Sequence, residues 1–158
     1  MSAVPRVELR EVTRETLGEC VRLRVAPEQE ELVASNLFSI AESAVMPDTW
    51  PLAVYAGGEM VGFVMYGREP ETGRYWILRL MIDAAQQGRG LGRAALIAAI
   101  DLIRERHGCR EITLSIHEGN RVAEQLYESV GFRRTGELDS GEAVMRLDRG
   151  PVSTERRN

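Results

Sequence analysis

Residues 76–92 constrain this chain most. An apolar run, Trp76 to Ile82, is followed by Gln87-Gly88-Arg89-Gly90-Leu91-Gly92 and then by a long apolar segment. The run reads as a buried strand, and residues 90–106 read as a helix. A strand, a glycine-rich turn and a helix in that order make an anion site. Glycines let the backbone come close to a ligand, the first-turn N–H groups have no intrahelical partner, and the helix dipole favours negative charge at that end. The centre of the sequence therefore predicts a phosphate-bearing ligand.

The flanking pattern sets the frame for that turn. Residues 7–12 alternate as a short edge strand, and helical spacing predicts a helix from Thr13 to Arg24, interrupted by Pro27. A second helix is expected over residues 29–45, with Leu32, Leu37, Phe38, Ile40 and Ala41 on its inner side. Pro47, Asp48 and Pro51 break the pattern. Residues 52–56 and 60–66 then flank Gly57-Gly58, a hairpin signal, and a second turn over 67–73 leads into the strand at 74–82. After the long helix, residues 110–116 alternate as a strand, which implies a right-handed crossover and a parallel pair. Asn120 can cap a helix carrying Ala123, Leu126, Tyr127 and Val130 on one stripe, and Gly131 ends it. Residues 132–138 and 143–147 form a last hairpin around Asp139-Ser140-Gly141. The expected order is β-α-α-β-β-β-α-β-α-β-β. It makes an α/β chain with one mixed sheet, helices on both faces, a single domain over 1–148 and a polar, frayed tail at 149–158.

Composition removes several classes of function. The net charge is −4 over 158 residues, whereas a general nucleic-acid binder is usually basic. All 20 basic residues are arginine, so neither a Walker A lysine nor a Schiff-base lysine exists. Cys20 and Cys109 have no metal or redox spacing and read as reduced thiols of a cytoplasmic protein. The start of the chain has no hydrophobic signal core, and no apolar run reaches membrane-spanning length. A dinucleotide fingerprint needs G-x-G-x-x-G. Gly88, Gly90 and Gly92 give G-x-G-x-G instead, with Arg93 in place of the third glycine, and the turn follows a meander and not the first strand of a βαβ repeat.

Gln87-x-x-Gly90-x-Gly92 resembles the Gln/Arg-x-x-Gly-x-Gly/Ala signature of the GCN5-related N-acetyltransferases. Asn120-x-x-Ala123-x-x-Leu126-Tyr127-x-x-x-Gly131-Phe132 resembles a second segment of the same family. Both occur in the family's order and topology, and the likeness covers residues 6–148. It implies a fold with a splayed central strand pair, acetyl-CoA as co-substrate, and direct transfer of acetyl to an amine. It further implies that the backbone of Gln87, Gly88, Arg89, Gly90, Leu91 and Gly92 cradles the pyrophosphate. Pantetheine would run along Leu80, Met81 and Ile82, where backbone N–H groups could polarise the thioester. On the likeness Asn120 contacts the pantetheine arm; a plain helix cap is its other reading. Tyr127 would protonate the departing thiolate, since a phenol near pKa 10 and a thiol near 8.5 are not far apart. Its other reading is a core tyrosine.

The acceptor is less constrained. An alkylamine with pKa about 10.4 must lose a proton before it attacks, yet the strand before the turn offers Leu78-Arg79-Leu80 and no carboxylate. Glu28, Glu30, Glu31 and His117 are the candidates for the base. Arg79 is either an arginine buried against a carboxylate or an organiser of Glu28 or Glu31. The run Pro27-Glu28-Gln29-Glu30-Glu31, Asn36-x-x-Ser39, residues 61–67 and Trp76-x-x-Arg79 with Asp83 resembles the bacterial spermine/spermidine acetyltransferases within the family. An acidic acceptor mouth at Glu28 and Glu31 would suit such a polycation. Partners expected are a small-molecule amine, neither nucleic acid nor membrane, and a second copy in a homodimer. The other functions weighed are an antibiotic amine or protein N-terminus as acceptor, and a non-catalytic acyl-CoA sensor.

Overall fold

The structure, a computed structural model, describes residues 5–148; the tail expected at 149–158 lies outside the described residues. The elements run β1 (Glu8–Glu11), α1 (Leu17–Arg22), α2 (Asn36–Val45), β2 (Thr49–Ala56), β3 (Glu59–Arg68), β4 (Tyr75–Ile82), α3 (Leu91–His107), β5 (Ile112–Ile116), α4 (Arg121–Val130), β6 (Arg133–Asp139) and β7 (Glu142–Leu147). This is the expected order. The strands form one sheet, β1-β2-β3-β4-β5-β7-β6, in which only β4 and β5 run parallel. That pair is joined through α3, as a parallel connection requires.

Helices cover both faces. On one face Leu91, Ala95, Leu96, Ala99, Ile100 and Ile103 of α3 pack on Val64, Tyr66, Ile112 and Leu114, with Leu126 and Tyr127 of α4 against the same core. On the other, Cys20, Phe63, Met65 and Met81 form a smaller core under α1 and α2. Among the described residues no helix is long and apolar enough to cross a membrane.

Three boundaries differ from expectation. The first helix occupies only Leu17–Arg22. Thr13 and Thr16 fold the segment before it into a turn, the Thr13 N–H donating to Thr16 Oγ1 at 2.9 Å. The second helix begins at Asn36 and not at Gln29, because Ser35 caps it by accepting the Phe38 N–H at 3.1 Å; Pro27–Gln29 is a separate 3-10 turn. Pro51 lies inside β2, where it breaks nothing. Pairing with β1 stops at Leu52, so the missing proline N–H falls on an unpaired edge.

The polarity of α2 also reverses the expectation. Leu37 is 62 % exposed and Phe38 57 %, whereas Asn36 and Ser39 are buried at 3 % and 0 %. The Asn36 amide donates to the Cys20 carbonyl at 2.9 Å and contacts Met81 Sδ at 3.7 Å. Ser39 Oγ donates to the Ser35 carbonyl. With their polar groups satisfied, these side chains can occupy the sheet side; Leu37 and Phe38 turn outward, while Ile40 packs on the smaller core as expected.

The sheet is split along its middle. β4 pairs with β5 only at Tyr75↔Ile112 and Trp76↔Thr113, after which β5 pairs only with β7. Aromatic rings clamp the closed end. Trp50 stacks on Tyr66 at 4.9 Å, Tyr75 stacks on His107 of α3 at 4.6 Å, and His107 Nε2 lies 3.0 Å from the Tyr66 hydroxyl. From Ile77 to Ile82 one edge of β4 faces an open wedge, about 17 Å long at a strand rise near 3.3 Å per residue.

Candidate active site

The glycine turn stands at the open end of the wedge. Gly88 and Gly90 hold left-handed backbones, φ 82° and 76°. A Cβ at Gly88 would meet nothing within 4 Å, so conformation and not crowding calls for glycine there. Gly90 is the N-cap of α3, which has no side-chain cap and no acidic residue in its first turn. The first N–H groups of the longest helix therefore lack a protein cap, the state an anion would satisfy. Arg89 and Arg93 are exposed beside them. A Cβ at Gly92 would lie 3.8 Å from Ile82 and 3.9 Å from Leu126. Gly92 thus marks where β4, α3 and α4 converge. Leu91 is 1 % exposed, leaving only its backbone to serve a ligand.

The segment after α1 is stitched to the end of β4. The Gln87 amide donates to the Ile82 carbonyl at 3.0 Å and to Gln29 Oε1 at 2.8 Å. The Arg24 N–H donates to Asp83 Oδ1 at 2.9 Å, and its carbonyl accepts the Ala84 N–H at 2.7 Å. A pocket of about 220 Å³ opens beneath this seam, lined by Leu23, Arg24, Val25, Glu30, Asn36 and Met81 among others. Its carboxylate is Glu30. Glu28 and Glu31 are exposed and do not line it.

On β4, Leu80 and Ile82 belong to the α3 side of the sheet and Met81 to the α1/α2 side. Asn120 is the N-cap of α4; its Oδ1 accepts the Ala123 N–H at 3.3 Å. The cap uses the oxygen only, so the amide N–H groups stay free to donate. Tyr127, one to two turns further on, packs at the edge of the α3-side core with its ring 6.0 Å from Phe132. Burial, with a smaller contribution from Glu142, pushes its phenol up to about 12. Such a hydroxyl stays protonated across the physiological range and acts as a donor. His117 is exposed at the turn before Asn120, with Nδ1 3.0 Å from the Glu118 carbonyl.

Arg79 organises neither Glu28 nor Glu31. Its Nη2 pairs with Glu42 of α2 at 3.4 Å, and Nη1 donates to the Leu78 carbonyl at 2.9 Å. Sequence reasoning missed Glu42. The signal was present, since Asn36, Ser39 and Glu42 recur every three residues, a polar stripe on a helix face. Counting Leu37 and Phe38 as inward hid it.

An uncapped helix N-terminus, an unpaired strand edge and a cap amide with spare donors suit one kind of ligand. It carries a pyrophosphate at one end and an amide-bearing arm that can pair with a strand, as coenzyme A does.

Comparison with known proteins agrees. The pattern of the acetyltransferase (GNAT) family matches residues 9–132. The spermine/spermidine N(1)-acetyltransferase of Bacillus subtilis (strain 168) is 36% identical over 146 residues, covering 88% of this chain and 96% of that protein. Among solved structures, PaiA N-acetyltransferase from Thermoplasma acidophilum in complex with coenzyme A superposes with a TM-score of 0.65 at 21% identity, covering 90% of this chain and 99% of that one. Aminoglycoside acetyltransferase AAC(6')-Ib in complex with coenzyme A reaches 0.76 at 22% identity, over 91% and 95%. The splayed sheet, the open helix end and a family pattern spanning most of the residues place the chain in the GNAT family of acetyltransferases.

Proposed function

We propose that this enzyme transfers acetyl from acetyl-CoA to a primary amine of a polyamine of the spermidine or spermine kind. The observation that carries the acceptor is the 36% identity to a spermine/spermidine acetyltransferase along 96% of that protein's length. The pocket supports it. It opens under the α1–α2 segment, reaches Met81 on β4 and carries the Glu30 carboxylate. Arg24 shares the wall with Glu30, so a polycation gains from an ammonium placed at the Glu30 end and from the acidic balance of a chain of net charge −4.

In this reading the first N–H groups of α3 and the backbone of residues 87–92 hold the pyrophosphate. The β4 edge from Ile77 to Ile82 binds the pantetheine arm, to which Asn120 Nδ2 donates. Glu30, a pocket wall, steadies the ammonium form of the acceptor and takes up its proton, directly or through water; a free alkylamine is a small fraction at neutral pH. The amine nitrogen forms the N–C bond, the C–S bond breaks, and the electron pair leaves on sulfur. Tyr127 donates a hydrogen bond to that sulfur. A phenol near 12 does not hand its proton outright to a thiolate whose thiol titrates near 8.5. Tyr127 therefore passes on the proton shed by the newly acylated nitrogen and is reprotonated in the same event. We also place the enzyme in the cytoplasm, where thiols such as Cys20 and Cys109, both free, stay reduced.

Thiol release from acetyl-CoA tests the reading, measured with spermidine, spermine, monoamines, an aminoglycoside and an N-terminal peptide. The highest kcat/KM is expected with the polyamines. Preference for another class would replace the acceptor, and turnover with none would overturn the proposal.

A further inference from the structure

β4 carries one irregularity, and it lies beside the closed end of the wedge. In the β3–β4 ladder Met65 faces Arg79 and Tyr66 faces Ile77, so Leu78 is an extra residue without a partner. The bulge begins two residues beyond Trp76, the last residue of β4 zipped to β5. An acyl group threaded into the wedge from the glycine turn reaches this point before the strands close.

The side chain that spans the bulge is Arg79. Its Nη1 donates to the carbonyl of Leu78, the unpaired residue, at 2.9 Å, and its Nη2 reaches Glu42 of α2 at 3.4 Å. The guanidinium is thus a strut between the bulged backbone and a helix on the same face. The arrangement is a poor choice for stability alone. Arg79 Nε is buried without a hydrogen-bond partner, which costs free energy, and its neighbours on β4 are Leu78, Leu80, Met81 and Ile82. An aliphatic residue would fill that position without an orphaned donor. Bulges re-aim the backbone and recur next to active sites, and a carbonyl held by a fixed guanidinium is one that cannot rotate back into the ladder.

We propose that Arg79 is a positioning residue. Braced by Glu42, it locks the Leu78–Arg79 bulge so that the free backbone N–H groups of the β4 edge point at the thioester carbonyl of acetyl-CoA and stabilise the negative charge that develops there. The inference rests on the reading of the β4 edge as the acetyl-CoA site. It adds a role for a side chain that touches neither the thiol nor the amine.

Two readouts separate the brace from that reading, both on the full chain. The first is the carbonyl stretch of bound [1-13C]acetyl-CoA, which needs no acceptor. The wild-type protein should move it to lower frequency than in water. Arg79→Met should lose most of that shift while binding coenzyme A within about two-fold of wild type. The second is turnover with the best amine. Arg79→Met should lower kcat roughly ten- to hundred-fold, less than the loss of a whole oxyanion donor, with the KM for acetyl-CoA unchanged. Glu42→Gln should lose less, and added guanidinium should restore part of the kcat of Arg79→Ala. An undiminished carbonyl shift in Arg79→Met overturns the brace. So does a loss of kcat matched by an equal loss of coenzyme A affinity and of Tm, the mark of a merely structural arginine. No shift in the wild-type protein, despite tight binding, overturns the site reading itself, and the brace with it.

Discussion

Two helices begin at the same cleft, and they begin differently. α4 is closed by its own side chain, Asn120 Oδ1 accepting the Ala123 N–H at 3.3 Å. α3 starts at Gly90 with a left-handed backbone and no side-chain cap. A cap satisfies donors that would otherwise seek an anion, so the contrast shows which N-terminus is spent on folding and which has donors left over, the one to which the proposed function gives the pyrophosphate. The longer helix, whose dipole is the more useful, is the one left open. Capping at α4 is not idle either. It holds the carboxamide by its oxygen and leaves the amide N–H groups unspent, and it sets the register that packs Tyr127 at the edge of the α3-side core.

The largest expected effect removes chemistry from α4 and leaves its cap intact. Tyr127→Phe should lower kcat by about 100- to 1000-fold, the usual range for loss of a positioned proton donor, with acetyl-CoA affinity unchanged; steady-state kinetics checks both. The same variant should lose a pH dependence. The folded phenol, raised to about 12 by burial, stays protonated where the unfolded one, near 10, already ionises. The wild-type protein therefore loses stability as pH climbs from about 10 towards 12, by up to ~1.4 kcal/mol per unit. Denaturant titrations should show a shallower loss in the variant.

Next comes a change that closes α3. Gly90→Asp puts a carboxylate where the pyrophosphate is assigned, at a backbone conformation aspartate tolerates. Coenzyme A affinity should fall on the order of 100-fold, because two charges about 5 Å apart at an effective dielectric near 20 repel by ~3 kcal/mol. Calorimetry should show this with a small change in Tm; a fall in Tm without a loss of affinity would break the contrast. Opening α4 is the mirror experiment. Asn120→Ala should cost ~1 kcal/mol of stability. Asn120→Asp should keep the cap yet raise the KM for acetyl-CoA about ten-fold, the worth of one good hydrogen bond. The smallest effect belongs to the acceptor pocket. Glu30→Gln should raise the KM of spermidine a few-fold, as expected for a partly screened charge, and more than that of a monoamine. The same change at Glu28 or Glu31, both outside the pocket wall, should do less.

Element order and the glycine turn were legible because each rests on local rules. The alternating runs at 7–12 and 110–116 became β1 and β5 and the apolar run at 76–82 became β4, Gly57-Gly58 became a hairpin turn with φ 58° and 81°, and the Asn120–Gly131 frame became α4 to the residue. Where the chain departs from expectation, a longer-range contact decides. Leu37 and Phe38 fit the inner-stripe pattern, yet α2 turns Asn36 and Ser39 inward: Ser39 bonds back to the Ser35 carbonyl, and Asn36 is met across the interface by Met81 and the Cys20 carbonyl. No window of sequence contains that carbonyl. The same holds for Arg79. Its partner Glu42 lies 37 residues away, and the bulge that gives the pair its place is a property of two strands and not of either one. Glu28 and Glu31 drew notice by being clustered with Glu30, whereas of the three only Glu30 lines the pocket, a choice made by how the segment packs on β4 and α2.

The two-pair join between β4 and β5 has a consequence for how the protein breathes. The sheet is mechanically two plates, β1 to β4 and β5 to β7, riveted at Tyr75–Trp76 and backed by the rings of Trp50, Tyr66, Tyr75 and His107. A ligand strand laid along Ile77 to Ile82 would complete the missing rungs, so that coenzyme A acts as a removable eighth strand. Amides on that edge should exchange quickly in the empty enzyme and slowly in the loaded one, while those at Tyr75 and Trp76 stay protected throughout. Product release would then amount to unzipping a sheet from its open end, with the aromatic rivet keeping the tear from running through the molecule.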